Sequence, residues 1–252
     1  MLRPLSALVC LFLVANGAWI MVNALARTTS EHRTTYPGVR TLEVEDAGEV
    51  HLTGAPAGSP VSVTTQVTRS LTSPDEHVTD AGGRLVIDSS CPVVIAQSCE
   101  IDYEISVPPE VRVVVDARSG DVSAADLRSD EPLVLHSSAG DVAAERVVAP
   151  GLRASSSAGD VQLTELRAPR IEATSSAGDV RAEVDAPITR MVARSSAGDV
   201  DVVVPEGVYA LAASAGAGDV RAGALRTDPD SSRILVLRSS AGDVNAEVQT
   251  RR

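Results

Sequence analysis

The chain has 252 residues, with 34 acidic against 22 basic side chains and a formal net charge of −12. That balance, without a basic stripe and with 2% aromatic residues, argues against a nucleic-acid partner. Five aromatics (one Trp, three Tyr, one Phe) also leave little to fill a wide core, so the fold must be narrow.

From Leu5 to Ala26 there is no charge over 22 positions, enough to cross a bilayer, with Arg3 before and Arg27 after. Ala24-Leu25-Ala26 fits the small-x-small pattern of a cleaved signal peptide. The apolar run is longer than a usual signal core, however, and Trp19 lies near its outer end like an interfacial anchor. A retained N-terminal transmembrane helix within residues 1–27 is the favoured expectation. The bulk of the chain is then extracytoplasmic on a single-pass cell-membrane anchor, or secreted if the segment is cleaved.

Residues 28–37 are polar and unpatterned and read as a short stalk. Between residues 38 and 110, Leu42, Val44, Val50 and Leu52 alternate as strand, as do Val61, Val63 and Val67, and Leu85-Val86-Ile87 is a further strand. This region reads as irregular first coils of a larger array, not as a separate domain. Cys91 and Cys99 stand eight apart, and in an exported protein they are expected to be paired. Free thiols or a metal site are the alternatives, although none of His32, His51, His77 and His136 forms a ligand pair with another. Two alkylatable thiols in the unreduced, exported protein would exclude the bridge.

From residue 111 to 252 one phrase recurs. Ser119-Gly120-Asp121-Val122 is followed by copies of Ala-Gly-Asp-Val around Gly140, Gly159, Gly178, Gly198, Gly218 and Gly242. The glycines are 20, 19, 19, 20, 20 and 24 residues apart, a fixed period of the kind that marks a structural repeat. Within each copy the residues sort by parity. Seven places before the glycine stand Val113, Leu133, Leu152, Ile171, Met191, Leu211 and Leu235, and two places after it there is always Val. Three places before it stands Ser or Ala, while the fourth place is mixed and largely polar (Asp116, His136, Ser155, Thr174, Arg194, Ser214, Arg238). Alternation with period two is a strand with one buried face. Each copy therefore reads as strand, Gly-Asp corner, second strand and a return turn that commonly holds a proline (Pro132, Pro150, Pro169, Pro187, Pro205, Pro229). The predicted fold is all-β: a single-stranded parallel β-solenoid, or β-helix, of about 20-residue coils.

The inward serines need partners for their hydroxyls, and a serine-to-serine ladder would supply them. No base stands at a repeatable distance, so they read as structural. The aspartates Asp121, Asp141, Asp160, Asp179, Asp199, Asp219 and Asp243 would form a column with carboxylates on the order of 5 Å apart, repelling by about 1 kcal/mol in bulk water and about 3 kcal/mol at an effective dielectric of 20. Hydrogen bonds from nearby backbone N–H groups are the simplest compensation. A row of calcium ions is the sharper alternative.

A cysteine pair, a strand ending in Val107-Pro108, and tandem Ser-x-Gly-Asp-Val repeats behind an N-terminal membrane segment resemble a bacterial "putative adhesin" family of unknown function. The resemblance spans roughly residues 38–248 and implies an envelope β-solenoid; it supplies no catalytic residues to carry over. No nucleophile elbow, phosphate loop or zinc-ligand helix stands apart from the repeat. The expected function is a non-enzymatic adhesin or surface scaffold without cofactors, contacting cell-wall glycan or a surface protein. An extracytoplasmic sensor partner and a polysaccharide-acting β-helix enzyme are the alternatives. Thr250-Arg251-Arg252 follow the last copy, where the open end would expose a β-edge and invite self-association.

Overall fold

A computed structural model describes residues 28–69, 74–90, 99–223 and 225–249. The expected membrane segment (residues 5–26), Cys91 of the expected disulfide and the terminal arginines lie outside the described residues. Among those described, every regular element is a strand, and no helix is long and apolar enough to cross a membrane.

The first part of the chain gives β1 (Thr28–Tyr36), β2 (Thr41–Ala47), β3 (Val50–Gly54), β4 (Val61–Arg69), β5 (Asp75–Ala81), β6 (Arg84–Ser90) and β7 (Cys99–Val107). Five regular coils follow, each with one strand before its Gly-Asp corner and one after. They are β8 (Arg112–Ala117) and β9 (Val122–Ala125), then β10 (Leu133–Ser137) and β11 (Val142–Glu145). Next come β12 (Leu152–Ala158) and β13 (Val161–Leu166), β14 (Arg170–Ala177) and β15 (Val180–Val184), and β16 (Arg190–Ala197) and β17 (Val200–Val204). The last part supplies β18 (Val208–Ala215), β19 (Val220–Arg221), β20 (Arg226–Thr227), β21 (Ile234–Ser239) and β22 (Val244–Val248).

These strands form two sheets of eleven. The strands after the corners stack in one, with order β1-β4-β7-β3-β9-β11-β13-β15-β17-β22-β19 (sheet A). Those before the corners stack in the other, β20-β18-β21-β16-β14-β12-β10-β8-β2-β6-β5 (sheet B). The alternating inward residues meet between the sheets: Val115, Leu135, Ala154, Ala173 and Ala193 from sheet B, and Val122, Val142, Val161, Val180 and Val200 from sheet A, are all fully buried. Small side chains at these positions let the two sheets approach closely, which is why so few aromatics suffice. The solenoid is therefore two-sheeted, with two principal strands per coil.

Three expectations change. The stretch read as a polar stalk, Thr28–Tyr36, is a strand pairing antiparallel with β4 at the edge of sheet A. Its polar sequence shows no alternation because an edge strand there has little to bury, and its residues are mostly exposed. The N-terminal end is also not purely parallel, since β4 pairs antiparallel with β7 and β5 with β6.

The third change concerns order. The coil of Gly242 does not end the stack: β21 lies between β16 and β18, and β22 between β17 and β19. The coil of Gly218 skips one place and becomes the end of the solenoid, and the chain then returns to fill the gap. The return consumes residues 222–233, which accounts for the longer spacing of 24 before the last glycine. The N-terminal end mirrors this, with β2 and β3 lying between β8/β9 on one side and β6/β7 on the other. Among the described residues nine rungs carry a principal strand in both sheets, and of these nine the coils β2/β3 and β21/β22 are each second from an end.

Candidate binding surface

The repeated corner is a stitch between rungs. The Asp141 N–H donates to Asp121 Oδ1 at 2.8 Å, Asp160 to Asp141, Asp179 to Asp160 and Asp199 to Asp179, all at 2.8 Å. The series then jumps in sequence while continuing in space: Asp243 donates to Asp199 at 2.7 Å, and Asp219 to Asp243 at 2.9 Å. Each carboxylate except Asp219, which stands on the last of these rungs, thus caps a corner N–H of the following rung. Charge in the column is further offset by arginines, Arg181 on Asp179 at 2.6 Å and Arg221 on both Asp243 at 2.6 Å and Asp219 at 2.9 Å. Among the described residues, no three His, Cys, Asp or Glu side chains converge as a metal site requires.

The inward serines do not form a ladder with one another. Ser137, Ser156, Ser175, Ser195 and Ser239 each donate at 2.8 Å to a corner glycine carbonyl of the adjacent rung, namely Gly120, Gly140, Gly159, Gly178 and Gly198. Glycine is required because rungs approach so closely there. A methyl on Gly159 would lie 2.3 Å from the Gly140 carbonyl oxygen.

The two column residues respond differently to change. Asp160→Asn keeps the Oδ1 acceptor and should alter stability by less than about 0.5 kcal/mol, whereas Asp160→Ala orphans the Asp179 N–H and should cost about 1–2 kcal/mol in urea melts. The Asp243 carboxyl is held below its usual range by the Asp219 N–H and then by Arg221. A depressed folded-state value means its contribution is present above the unfolded value, near 4, and is lost as pH falls through the folded one. The wild-type melting temperature should therefore drop below about pH 4, and Asp243→Asn should lose part of that drop.

The outer faces carry what the repeat does not. On sheet A, His51 Nδ1 is 2.5 Å from Ser123 Oγ and its Nε2 is 3.0 Å from Glu49 Oε1. On sheet B, His136 Nδ1 lies 2.9 Å from Ser155 Oγ, with Nε2 at 3.9 Å from Asp116. Both groupings place a hydroxyl, an imidazole and a carboxylate together, yet each sits on an open sheet face where neighbouring backbone N–H groups are committed to the ladder. Neither has a cradle for an oxyanion, and the His51 side chain is 44% exposed. They are cross-rung hydrogen bonds of the sheet surface.

The stronger pattern is charge. One row runs straight across the outer face of sheet B by strand register. It begins with His77 on the edge strand β5, followed by three carboxylates on successive rungs, Asp88, Glu45 and Asp116. It continues through His136, Ser155 and Thr174. It finishes with Arg194, Arg238 and Ser214. A parallel row four residues away places Arg170 directly beside Arg190. Among the described residues, Arg170, Arg190, Arg194 and Arg238 make no ion pair, and Glu45 and Asp88 make none. Between the two arginine rows Val192 points outward and is nonetheless only 5% exposed. The absence of a basic stripe expected from the linear sequence is thus corrected: arginines without an ion pair (Arg170, Arg190, Arg194, Arg238) gather on the C-terminal half of this face, and carboxylates without one (Glu45, Asp88) lie on the other half.

A family model matches residues 84–251, about two thirds of the chain, and its description is Toastrack DUF4097. The chain belongs to the Toastrack family. Among solved structures, a putative adhesin from Bacteroides fragilis shares the Toastrack chain's fold at a TM-score of 0.51 and 14% identity, covering 87% of this chain and 97% of that one. A putative adhesin from Parabacteroides distasonis matches at a TM-score of 0.45 and 11% identity, covering 87% and 96%. A putative cell adhesion protein from Clostridium sporogenes matches at 0.39 and 11%, covering 88% and 100%. No curated protein matches. The family is Toastrack, its structural neighbours are described as putative adhesins, and the fold is all-β and solenoid-like.

Proposed function

We propose that this Toastrack chain is a non-enzymatic envelope protein that works by surface contact, as an adhesin or a surface scaffold. The observation that carries this reading is the pair of continuous outer faces, nine rungs long among the described residues. The structurally similar Bacteroides fragilis protein, described as a putative adhesin, supports it. In this reading residues 5–26 hold the chain at the membrane, Cys91 pairs with Cys99 near the start of the regular coils, and the sheet faces meet cell-wall glycan or a surface protein.

The test is retention of the full-length protein on isolated cell walls and glycan arrays, alongside an assay for new reducing ends. Saturable retention without polysaccharide cleavage is the expected result. Cleavage of a sugar polymer, with no retention on any surface, would replace the reading with a hydrolytic or eliminating enzyme.

A further inference from the structure

We propose that the outer face of sheet B is a self-recognition surface that takes a second copy of this chain, packed face to face with its rungs in the opposite order. The proposal rests on the contact-protein reading and names the partner.

On this face, like charges stack on neighbouring rungs. Like charges on directly paired residues of neighbouring strands destabilise a sheet. This face holds three such runs: Asp88–Glu45–Asp116, Arg170–Arg190 and Arg194–Arg238. Arg118 and Arg84 lower the repulsion of the acidic run through space, but their hydrogen bonds go elsewhere. Arg118 is clamped by Asp46 through two bonds of 3.0 and 2.6 Å and Arg84 pairs with Glu43, so among the described residues Glu45 and Asp88 keep no ion-pair partner of their own. An anionic partner alone would satisfy one half of the face, and a cationic partner the other. A second copy can match Arg194–Arg238 with Glu45 and Asp116, leaving Arg170–Arg190 at the rim.

The spacing fits as well. Ser155 stands on the central rung of the nine. A two-fold axis along the strand direction through Ser155 brings Arg194 opposite Asp116 of the second copy, Arg238 opposite its Glu45, and Val192 opposite its Val114. This is an isologous contact, so each pairing occurs twice. The face measures about 38 Å along eight rung spacings and about 17 Å across, roughly 650 Å² per partner, near the ~800 Å² per side of a standard stable interface. Arg190 then meets Arg112 of the second copy at the rim, where long stems can turn their heads into water.

The measurement is sedimentation velocity on the full-length protein in neutral detergent. Wild type is expected to dimerise at micromolar concentration and to weaken as salt is raised. Arg194→Glu/Arg238→Glu and Glu45→Arg/Asp116→Arg should each weaken the dimer on the order of 100-fold, by facing like charges. An equimolar mixture of the two variants should restore association, since every reversed group then meets its opposite. Arg194→Gln/Arg238→Gln, which removes charge without reversing it, should give an intermediate loss and guards against a misfolded reversal.

A monomeric wild type, a dimer untouched by both reversals, or a mixture that stays apart would each overturn the proposal. So would a monomer that binds a polyphosphate chain or phosphatidylglycerol vesicles through these arginines, which would make the basic half a polyanion site. A monomer still retained on cell walls would sink the self-recognition alone and leave the adhesin reading standing.

Discussion

Gly159→Ala is expected to be among the most damaging single-methyl additions in the chain. Its new Cβ would sit 2.3 Å from the Gly140 carbonyl oxygen and 2.6 Å from the carbonyl carbon, both backbone atoms that cannot swing aside. Relief requires the two rungs to separate at the corner. That stretches both the Asp160–Asp141 and the Ser156–Gly140 hydrogen bonds, each 2.8 Å long. Overpacking of this kind costs about 3 kcal/mol or more, a fall of about 6–12 °C in melting temperature for a chain of this size. Gly151→Ala is the control: its nearest neighbours would lie 3.7 Å away, an ordinary contact. It should be neutral or stabilise by up to about 1 kcal/mol, since alanine restricts the unfolded chain. Equal losses in the two variants, measured by thermal melts, would refute the close-approach account.

The second large effect contrasts two leucines in one column. Leu235 is fully buried in the penultimate rung, whereas Leu211, its register partner in the end rung, is only partly buried. Leu235→Ala should cost about 2–5 kcal/mol, the usual range for a closed core site. Leu211→Ala should cost less than half as much, although it lies 24 residues further from the C terminus. Urea titrations of the two variants decide this. If the coils stacked in sequence order, Leu235 would be the residue at the open end and the ranking would reverse.

The Gly-Asp phrase and the period-two alternation made the corner, the inward face and the parallel stacking legible in the sequence, because each depends on residues repeated at every rung. What escaped is what occurs once. The exchange of the last two coils left its trace in the spacing of 24, a number visible but equally compatible with a longer loop. Thr28–Tyr36 carries no alternation because an edge strand mostly facing water needs none. Ser175 was legible as inward and structural, but its partner, the Gly159 carbonyl, depends on the depth of the corner, which composition does not reveal. The charged row of sheet B could have been found by writing the fourth place before each glycine as a column. That shows Arg194 and Arg238, but only the register makes them adjacent.

The interleaving of the terminal coils determines how the molecule carries tension. A strand at the margin of a sheet unzips one bond at a time when its end is tugged. β22 is bonded to β17 and, at its start, to β19, and β21 is flanked by β16 and β18 along its length. A pull on Gln249 therefore loads two ladders together along the strand axis, so many bonds must yield at once. From the other side, β1 can be stripped from β4, but the next strand reached, β2, is gripped between β6 and β8. A solenoid woven this way resists unravelling under load from both directions.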